Sequence, residues 1–530
     1  MTKVVIAGTC DCPYFARIEL LADKLAENLP RFNVTKVVKQ PSEWKDFTNW
    51  VAKEHGWNVT KSPVVWRELL DQGGPGTLIG GSDEFQEYVA AYYKEYSSMT
   101  TKEMCDVSGD NTAFKAAEES EKRAEEEKRL SPSTILVIGA SSPASVHLLP
   151  YLALHGLFGP NEYIQLDLYD DSNADLLHCF AESLLETSCG MLSDVHVVHD
   201  LVPSLKASKQ IIFLDVVPRI QLGSEETASS HIKTTVLPLD QRKFEPRNQW
   251  LRRRYSFFSS IGLLVQTHCS PNVRILVAGN PGLDAESIKL ASPINFDVAV
   301  LHKTTSPRIS ARQIVGLVGP VVQRVKASVA ANLQVSTHDI VDVIVWGNVG
   351  SRTYIDLSQS RVYRRQGVDV GLTAGPWFSI PTMQAVRDAK WIYEEMPNDV
   401  FTKRSNVIPR YHGLSHAQSM ISFLRGWWTG DFITKDQIIS LVMASEDWYG
   451  VPKGVVFSFP VIPSTTCTWA VAEDIEISQP HGSELENCLK DVLEDWAVVD
   501  PTPLDAFIES KRVITKIEEG SSQAEEDEEI

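Results

Sequence analysis

The chain has 530 residues, 43% of them hydrophobic, and a formal net charge of -19. Its length exceeds one ordinary core and points to two or three domains. The acidic balance excludes general affinity for nucleic acid phosphate. No run approaches the roughly 20 apolar residues that span a bilayer, and no secretory signal precedes the first strand-like run, so a cytoplasmic protein without membrane contact is expected.

Residues 1–96 read as a first domain. Val4 to Ala7 is a buried strand, Tyr14 to Leu29 an amphipathic helix, Val34 to Val38 a second strand, and Ser82 to Tyr93 a closing helix. This order is thioredoxin-like. Cys12-Pro13-Tyr14-Phe15, then Ser62-Pro63-Val64, then Gly80-Gly81-Ser82-Asp83 resemble the glutaredoxin thiol motif, cis-proline loop and glutathione site. Cys12 at a helix start is the thiol candidate and Pro63 its proline partner, since a helix N-terminus favours the thiolate. Phe15 fills the resolving-cysteine position, which removes the dithiol mechanism through that pair. The structural alternative makes Cys12 a small, partly buried hydrophobe and Pro63 a turn residue. The eight cysteines are otherwise scattered, with no disulfide framework or zinc spacing, so no metal is expected.

Residues 97–133 are polar and charge-rich, with opposite charges three and four apart. They read as a solvated helix without an apolar face, hence a semi-rigid linker.

Residues 134–296 open on the strand and turn from Ile135 to Ser145, followed by a second strand ending at Asp170. This is a Rossmann beginning, with Gly139 and Ser142 at the phosphate turn and Asp170 placed for adenosine ribose hydroxyls. Ser142 and Ser145 stand where the fingerprint has glycines, and Pro143 between them offers no N–H to a phosphate. Asp215 stands where the dehydrogenases that this region resembles have a glycine near the cofactor, so the resemblance implies a carboxylate beside it. NAD binding is therefore expected to be weakened.

Residues 297–500 complete the fold, and 501–530 form an acidic tail expected to be solvated. The segment Ile344 to Ser351 reads I-V-W-G-N-V-G-S, and the segment Tyr449 to Val461 resembles a late strand of the same fold. With Ile135 to Ser145 and Val277 to Pro281, these segments resemble cytosolic malate dehydrogenases in the same order along the chain. The resemblance implies an α/β protein in which a Rossmann NAD-binding fold precedes a lactate/malate dehydrogenase C-terminal α+β domain. It also implies that Val349 holds the place of the catalytic histidine. Thr305 then matches the aspartate that orients that base, Arg219 and Arg308 match substrate arginines, and Asn280 matches the asparagine contacting nicotinamide and substrate. Glu225 replaces a further arginine. His302, His412 and His416 are the histidines considered as a relocated base.

Valine has no titratable or hydrogen-bonding side-chain atom, so the proton relay is expected to be missing and no catalytic residue is assigned. The competing reading keeps an NAD-dependent oxidoreductase of malate or another 2-hydroxy acid. The run from Gln241 to Phe258 interleaves arginines with aromatics and reads either as a docking surface or as a helix with its apolar side on the domain.

The whole architecture resembles the malate dehydrogenase 1B family of ciliated animals. That resemblance implies a pseudoenzyme among axonemal or other structural proteins of a cilium or sperm flagellum; a homodimer is compatible with it.

Overall fold

The computed structural model describes residues 2–29, 32–69, 76–154, 157–159, 162–171, 174–187, 189–222, 243–280, 291–364, 378–402, 412–430, 438–464, 468–477 and 481–509. Glu225, Arg242, Pro281, the side chain of His412 and the acidic end of the tail lie outside them. The chain divides into two compact units, Met1–Leu130 and Ser131–Ile530.

The first unit contains β1 (Thr2–Thr9), α1 (Pro13–Asn28), β2 (Phe32–Lys39), α2 (Trp44–His55), β3 (Val64–Leu69), β4 (Thr77–Gly80), α3 (Ser82–Tyr93) and α4 (Thr101–Leu130). Its sheet runs β2-β1-β3-β4, with β1 parallel to β2 and antiparallel to β3. Val4, Ile6, Phe15, Ile18 and Phe85 form its core. Phe15 lies against Gly8, where a Cβ would come within 2.3 Å of the ring and 2.8 Å of the Phe15 Cβ. Overpacking a filled core costs about 1–3 kcal/mol. Gly8→Ala should therefore lower the unit's stability by that amount, measurable as faster amide exchange across β1 and α1; exchange unchanged from the wild type would show that the core yields without cost.

The charge-rich segment read as a linker differs in one respect. It is one continuous helix, α4, that packs on α1 and belongs to the first compact unit. Met104 and Ser108 are buried, and Asn111 Nδ2 donates to Glu19 Oε2 at 2.7 Å. Its first half carries enough contact to dock without a full apolar stripe, whereas Lys122 to Leu130 is exposed throughout.

The second unit begins with β5 (Ser133–Ile138), α5 (Ser145–Leu154), β6 (Ile164–Tyr169), α6 (Ala174–Glu186), β7 (Leu192–Val197), α7 (Leu201–Ala207) and β8 (Ser208–Phe213). A two-stranded ribbon, β9 (Gln221–Leu222) with β10 (Lys243–Phe244), precedes α8 (Arg247–His268), β11 (Arg274–Val277), α9 (Ile294–Thr305), β12 (Ile314–Leu317) and α10 (Gly319–Leu333). The central strands run β12-β11-β8-β5-β6-β7, all parallel. This is the doubly wound order, whose ligand crevice lies at the carboxyl ends of the strands. Both faces are covered, so the strands are apolar at every position rather than alternately. Ile135 and Val137 face one cluster while Leu136 and Ile138 face the other.

The rest of the chain adds β13 (Ile340–Val341), β14 (Ile344–Gly347), β15 (Thr353–Asp356), β16 (Arg361–Arg364), β17 (Phe378–Pro381), α11 (Thr382–Val386), α12 (Met396–Thr402), α13 (His412–Thr429), β18 (Ile439–Ala444), β19 (Val456–Pro463), β20 (Trp469–Val471) and α14 (His481–Trp496). Strand β18 joins β12 antiparallel and carries β19, β14 and β15 beyond it, while β13, β16 and β17 form a small separate sheet. Among the described residues, no helix is long and apolar enough to cross a membrane.

Candidate functional site

The crevice is assembled from the ends of β5, β6, β8, β11 and β14. Gly139 leaves β5 at φ +82°, a conformation that L side chains rarely adopt, and its N–H donates to the Tyr169 carbonyl at 2.9 Å. The turn then closes on itself, because Ser142 N donates to the Gly139 carbonyl and Ser145 Oγ to the Ser142 carbonyl at 2.6 Å. The Ser142 hydroxyl is buried and has no partner among the described residues. Asp170, just beyond β6, accepts from the Ser141 backbone N–H at 3.3 Å and from the Ser141 hydroxyl. Asp170 thus reaches across to the turn that follows β5.

Asp215 follows β8 and accepts from Ser292 Oγ at 3.0 Å. Desolvation pushes its carboxyl above the usual range, opposed by the Arg254 charge and by the Ser292 bond. Asn280 sits beside it on the same hydroxyl, its N–H donating to Ser292 Oγ at 3.1 Å.

Val349 is fully buried in an apolar cluster. Its N–H donates to Asn295 Oδ1 at 2.8 Å, and its carbonyl accepts from Ile294 N. Asn295 Nδ2 holds the Gly347 and Val456 carbonyls at 3.1 Å each, so the loop is bolted to the start of α9. Asn348 turns the other way, donating to Asp491 Oδ2 and Asp495 Oδ2 at 2.9 Å each. Arg247 completes this network with a two-pronged pair on Asp495 at 2.7 and 2.6 Å.

Two sequence assignments do not meet Val349. Thr305 ends α9, whereas Ile294 at the other end bonds Val349. Eleven residues of helix separate them by roughly 16 Å. Thr305 Oγ1 donates to the Leu301 carbonyl within its own helix, and Arg308 donates to the Thr267 and Cys269 carbonyls at the end of α8. Arg308 is thus a helix C-terminal partner, a role that suits a cation near unsatisfied carbonyls. The side chain that shares the Val349 cluster from the first turn of α10 is Val321, which is also apolar and buried.

Arg219 is partly buried and donates Nε and Nη2 to the Glu245 carbonyl at 2.9 and 2.8 Å, against Phe244 and Trp250. It braces the β9–β10 ribbon. Burial drives His416 down to about 4 on α13, and burial also lowers His302, two turns along α9 from Ile294.

The arginine-rich run is not the exposed surface that one reading expected. Trp250, Leu251, Arg254, Phe258, Ile261 and Val265 form the buried stripe of α8. Arg254 pairs with Asp297 through Nε–Oδ1 at 2.9 Å and Nη2–Oδ2 at 2.6 Å, with both side chains at most 1% exposed. Arg253 is tied to Glu245 and to the Pro218 carbonyl. Of the three consecutive arginines only Arg252 is exposed. The four-residue spacing of Trp250, Arg254 and Phe258 was the available sign that Arg254 lies on the apolar face.

In the first unit, Cys12 precedes α1 and its thiol lies 3.6 Å from the Ser62 carbonyl, next to the cis Ser62–Pro63 peptide. Cys10 and Cys12 are both free thiols.

The model for the "Putative malate dehydrogenase 1B N-terminal domain" matches residues 3–129, and that for the "lactate/malate dehydrogenase, alpha/beta C-terminal domain" matches residues 322–498. A Branchiostoma floridae protein described as "Putative malate dehydrogenase 1B" is 32% identical over 93% of this chain and 88% of its own length. The chain belongs to the malate dehydrogenase 1B family. Among solved structures, a malate dehydrogenase from Naegleria fowleri covers 70% of this chain and 98% of its own at 20% identity and a TM-score of 0.53. A Trichomonas vaginalis lactate dehydrogenase in complex with NADH and oxamate covers 71% and 99% at 17% identity and a TM-score of 0.53. These likenesses establish the lactate/malate dehydrogenase fold of the second unit. The first family model also runs to residue 129, spanning α4.

Proposed function

We propose that this member of the malate dehydrogenase 1B family is a pseudoenzyme, a dehydrogenase frame used as a structural or nucleotide-sensing component of an axonemal complex in a cilium or flagellum. The observation that carries this reading is Val349, buried among apolar side chains at the position that resembles the family's catalytic histidine. Removing a general base costs about a hundred- to ten-thousand-fold, and removing its partner as well dismantles a unit. Recovery of the protein with washed axonemes, and an absence of malate oxidation, test the two halves of the proposal; a protein found only in the soluble fraction would contradict the first.

NAD fits this crevice in part. Gly139, Ser142 and Asp170 would hold its phosphate and adenosine half, and the unpartnered Ser142 hydroxyl suits a phosphate oxygen. When bound, NAD supplies the hydride acceptor of dehydrogenase chemistry. Asp215 opposes binding by placing a carboxylate near the diphosphate path. Asp215→Asn keeps the shape and removes the charge, and should tighten NADH binding about tenfold, the equivalent of 1.4 kcal/mol. Titration calorimetry checks this; equal affinities would show that Asp215 does not face the dinucleotide.

The second reading, an NAD-dependent 2-hydroxy acid oxidoreductase, draws on Asp170 and Asn280. It draws also on Arg219 and Arg308, whose guanidiniums bond the Glu245 carbonyl and the Thr267 and Cys269 carbonyls, and the Val349 side chain offers it no proton acceptor.

For docking to axonemal or other structural proteins, the first unit is the stronger candidate, since Arg253 and Arg254 are spent on internal pairs. Its sheet order, with Cys12 just ahead of α1, supports a thioredoxin-like unit used as a binding module.

A further inference from the structure

A second cavity opens at the opposite edge of the parallel sheet. It is lined by residues at the beginnings of strands, namely Ser208 and Lys209 of β8, Arg274 of β11, and Arg312 and Gln313 just before β12. The nucleotide crevice uses the far ends of the same strands, at Asp215 and Asn280. A strand advances about 3.3 Å per residue, so the six residues of β8 alone set the two sites some 20 Å apart.

The chemistry of this cavity is unlike that of the rest of the molecule. Four cations line it, Lys206, Lys209, Arg274 and Arg312, and no carboxylate does among the described residues, in a chain of net charge -19. Lys206 and Lys209 are exposed and make no ion pair among the described residues; the Lys209 ammonium donates only to Ser133 Oγ, at 2.7 Å. Arg312 reaches Glu446 outside the lining at 3.5 Å, a long and exposed contact. Clustered like charges repel, and this cluster persists without an internal counter-ion for its lysines, so the potential in the cavity is positive.

Its wall is aromatic. Trp427, Trp428 and Trp469 line it, and Arg274 lies over the Trp428 ring at 4.0 Å and the Trp427 ring at 5.3 Å. Trp428 is fixed by its Nε1–H, which donates to Gln210 Oε1 at 2.9 Å. The volume, about 610 Å³, is far more than an inorganic anion fills and lies within the range of ligand pockets.

We propose that this cavity binds a small organic anion, a carboxylate, sulfonate or phosphate carried on a flat aromatic body. The lysines and Arg312 receive the charged group at the mouth, while the indoles and the stacked Arg274 take the body. The site is independent of the dinucleotide crevice, so its occupancy does not rest on the pseudoenzyme reading.

Naphthalene-1,5-disulfonate is a suitable probe, with uncharged 2-naphthalenemethanol as the body without the charge. Titrated into the full chain, the disulfonate should bind saturably at one site per chain, at least about tenfold tighter than the neutral compound, and with affinity that falls as salt rises. Excess NADH should leave the binding unchanged. Lys206→Glu with Lys209→Glu, both on the exposed rim, should weaken it tenfold or more while the thermal melt stays at the wild-type position. The proposal is overturned by no saturable binding up to millimolar probe, by equal affinity in the double variant, or by displacement with NADH. If the double variant melts early, Lys206→Gln alone gives the same reading: a loss of affinity supports the site, and none overturns it.

Discussion

Replacing Arg254 with alanine will destabilise the second unit by about 3–5 kcal/mol, the range for removing one member of a buried ion pair. The guanidinium sits on the buried stripe of α8, bonded to both Asp297 oxygens and to the Val216 and Val217 carbonyls, and stacked against Trp250 and Phe258. Desolvation already pushes Asp297 up to about 6 against the pull of Arg254, with Asp215 adding to the rise. Without the arginine, two carboxylates share a buried site with no cation between them, and two carbonyls lose their donor. Arg252→Ala, on the exposed face two residues away, should change stability by no more than about 0.5 kcal/mol. Amide exchange resolved over α8 and α9 separates the two cases. Similar effects of both substitutions would mean that Arg254 is a surface arginine after all.

The difference between these neighbours explains much of what the sequence conveyed and what it did not. Runs such as Ile135 to Ile138 and Ile211 to Phe213 are apolar on both faces, which suits a covered parallel sheet; the strand and turn from Ile135 were legible as a Rossmann beginning, whereas the strand order came only with the fold. Val349 was legible because its octapeptide is continuous. Its supposed partners were not, because an orienting group is a neighbour in space. Thr305 and Arg308 stand in a short Thr-Ser-Pro-Arg segment that is easily matched by eye, yet helix α9 carries them to the wrong end of the crevice.

Arg254 lies where one of the two readings of its run put it: the run is a helix with its apolar side on the domain, and the four-residue spacing of Trp250, Arg254 and Phe258 places Arg254 on that side. The helix from Thr101 to Leu130 was misjudged. A low average hydrophobicity concealed the contact made by Met104 and Ser108 in its first turns.

The consequences for chemistry are larger than those for stability. An imidazole at residue 349 would enter a cluster of apolar side chains, and burial would favour its neutral form. Val349→His alone, or with Thr305→Asp, should therefore restore nothing, because Thr305 lies roughly 16 Å along α9 from the contact with Val349. The same substitutions should cost stability, since each buries a polar group in a site built without a partner for it.

Steady-state malate oxidation by the purified full-length chain, followed as NADH formation at saturating NAD and malate, is the most direct measurement. The absence of base and orienter predicts turnover at least about a hundredfold below the typical enzyme value of roughly 10 per second, and unchanged in Val349→His. Turnover of about 1 per second or more in the wild-type protein would contradict the account, because it would require a base that the buried valines at 321 and 349 cannot supply.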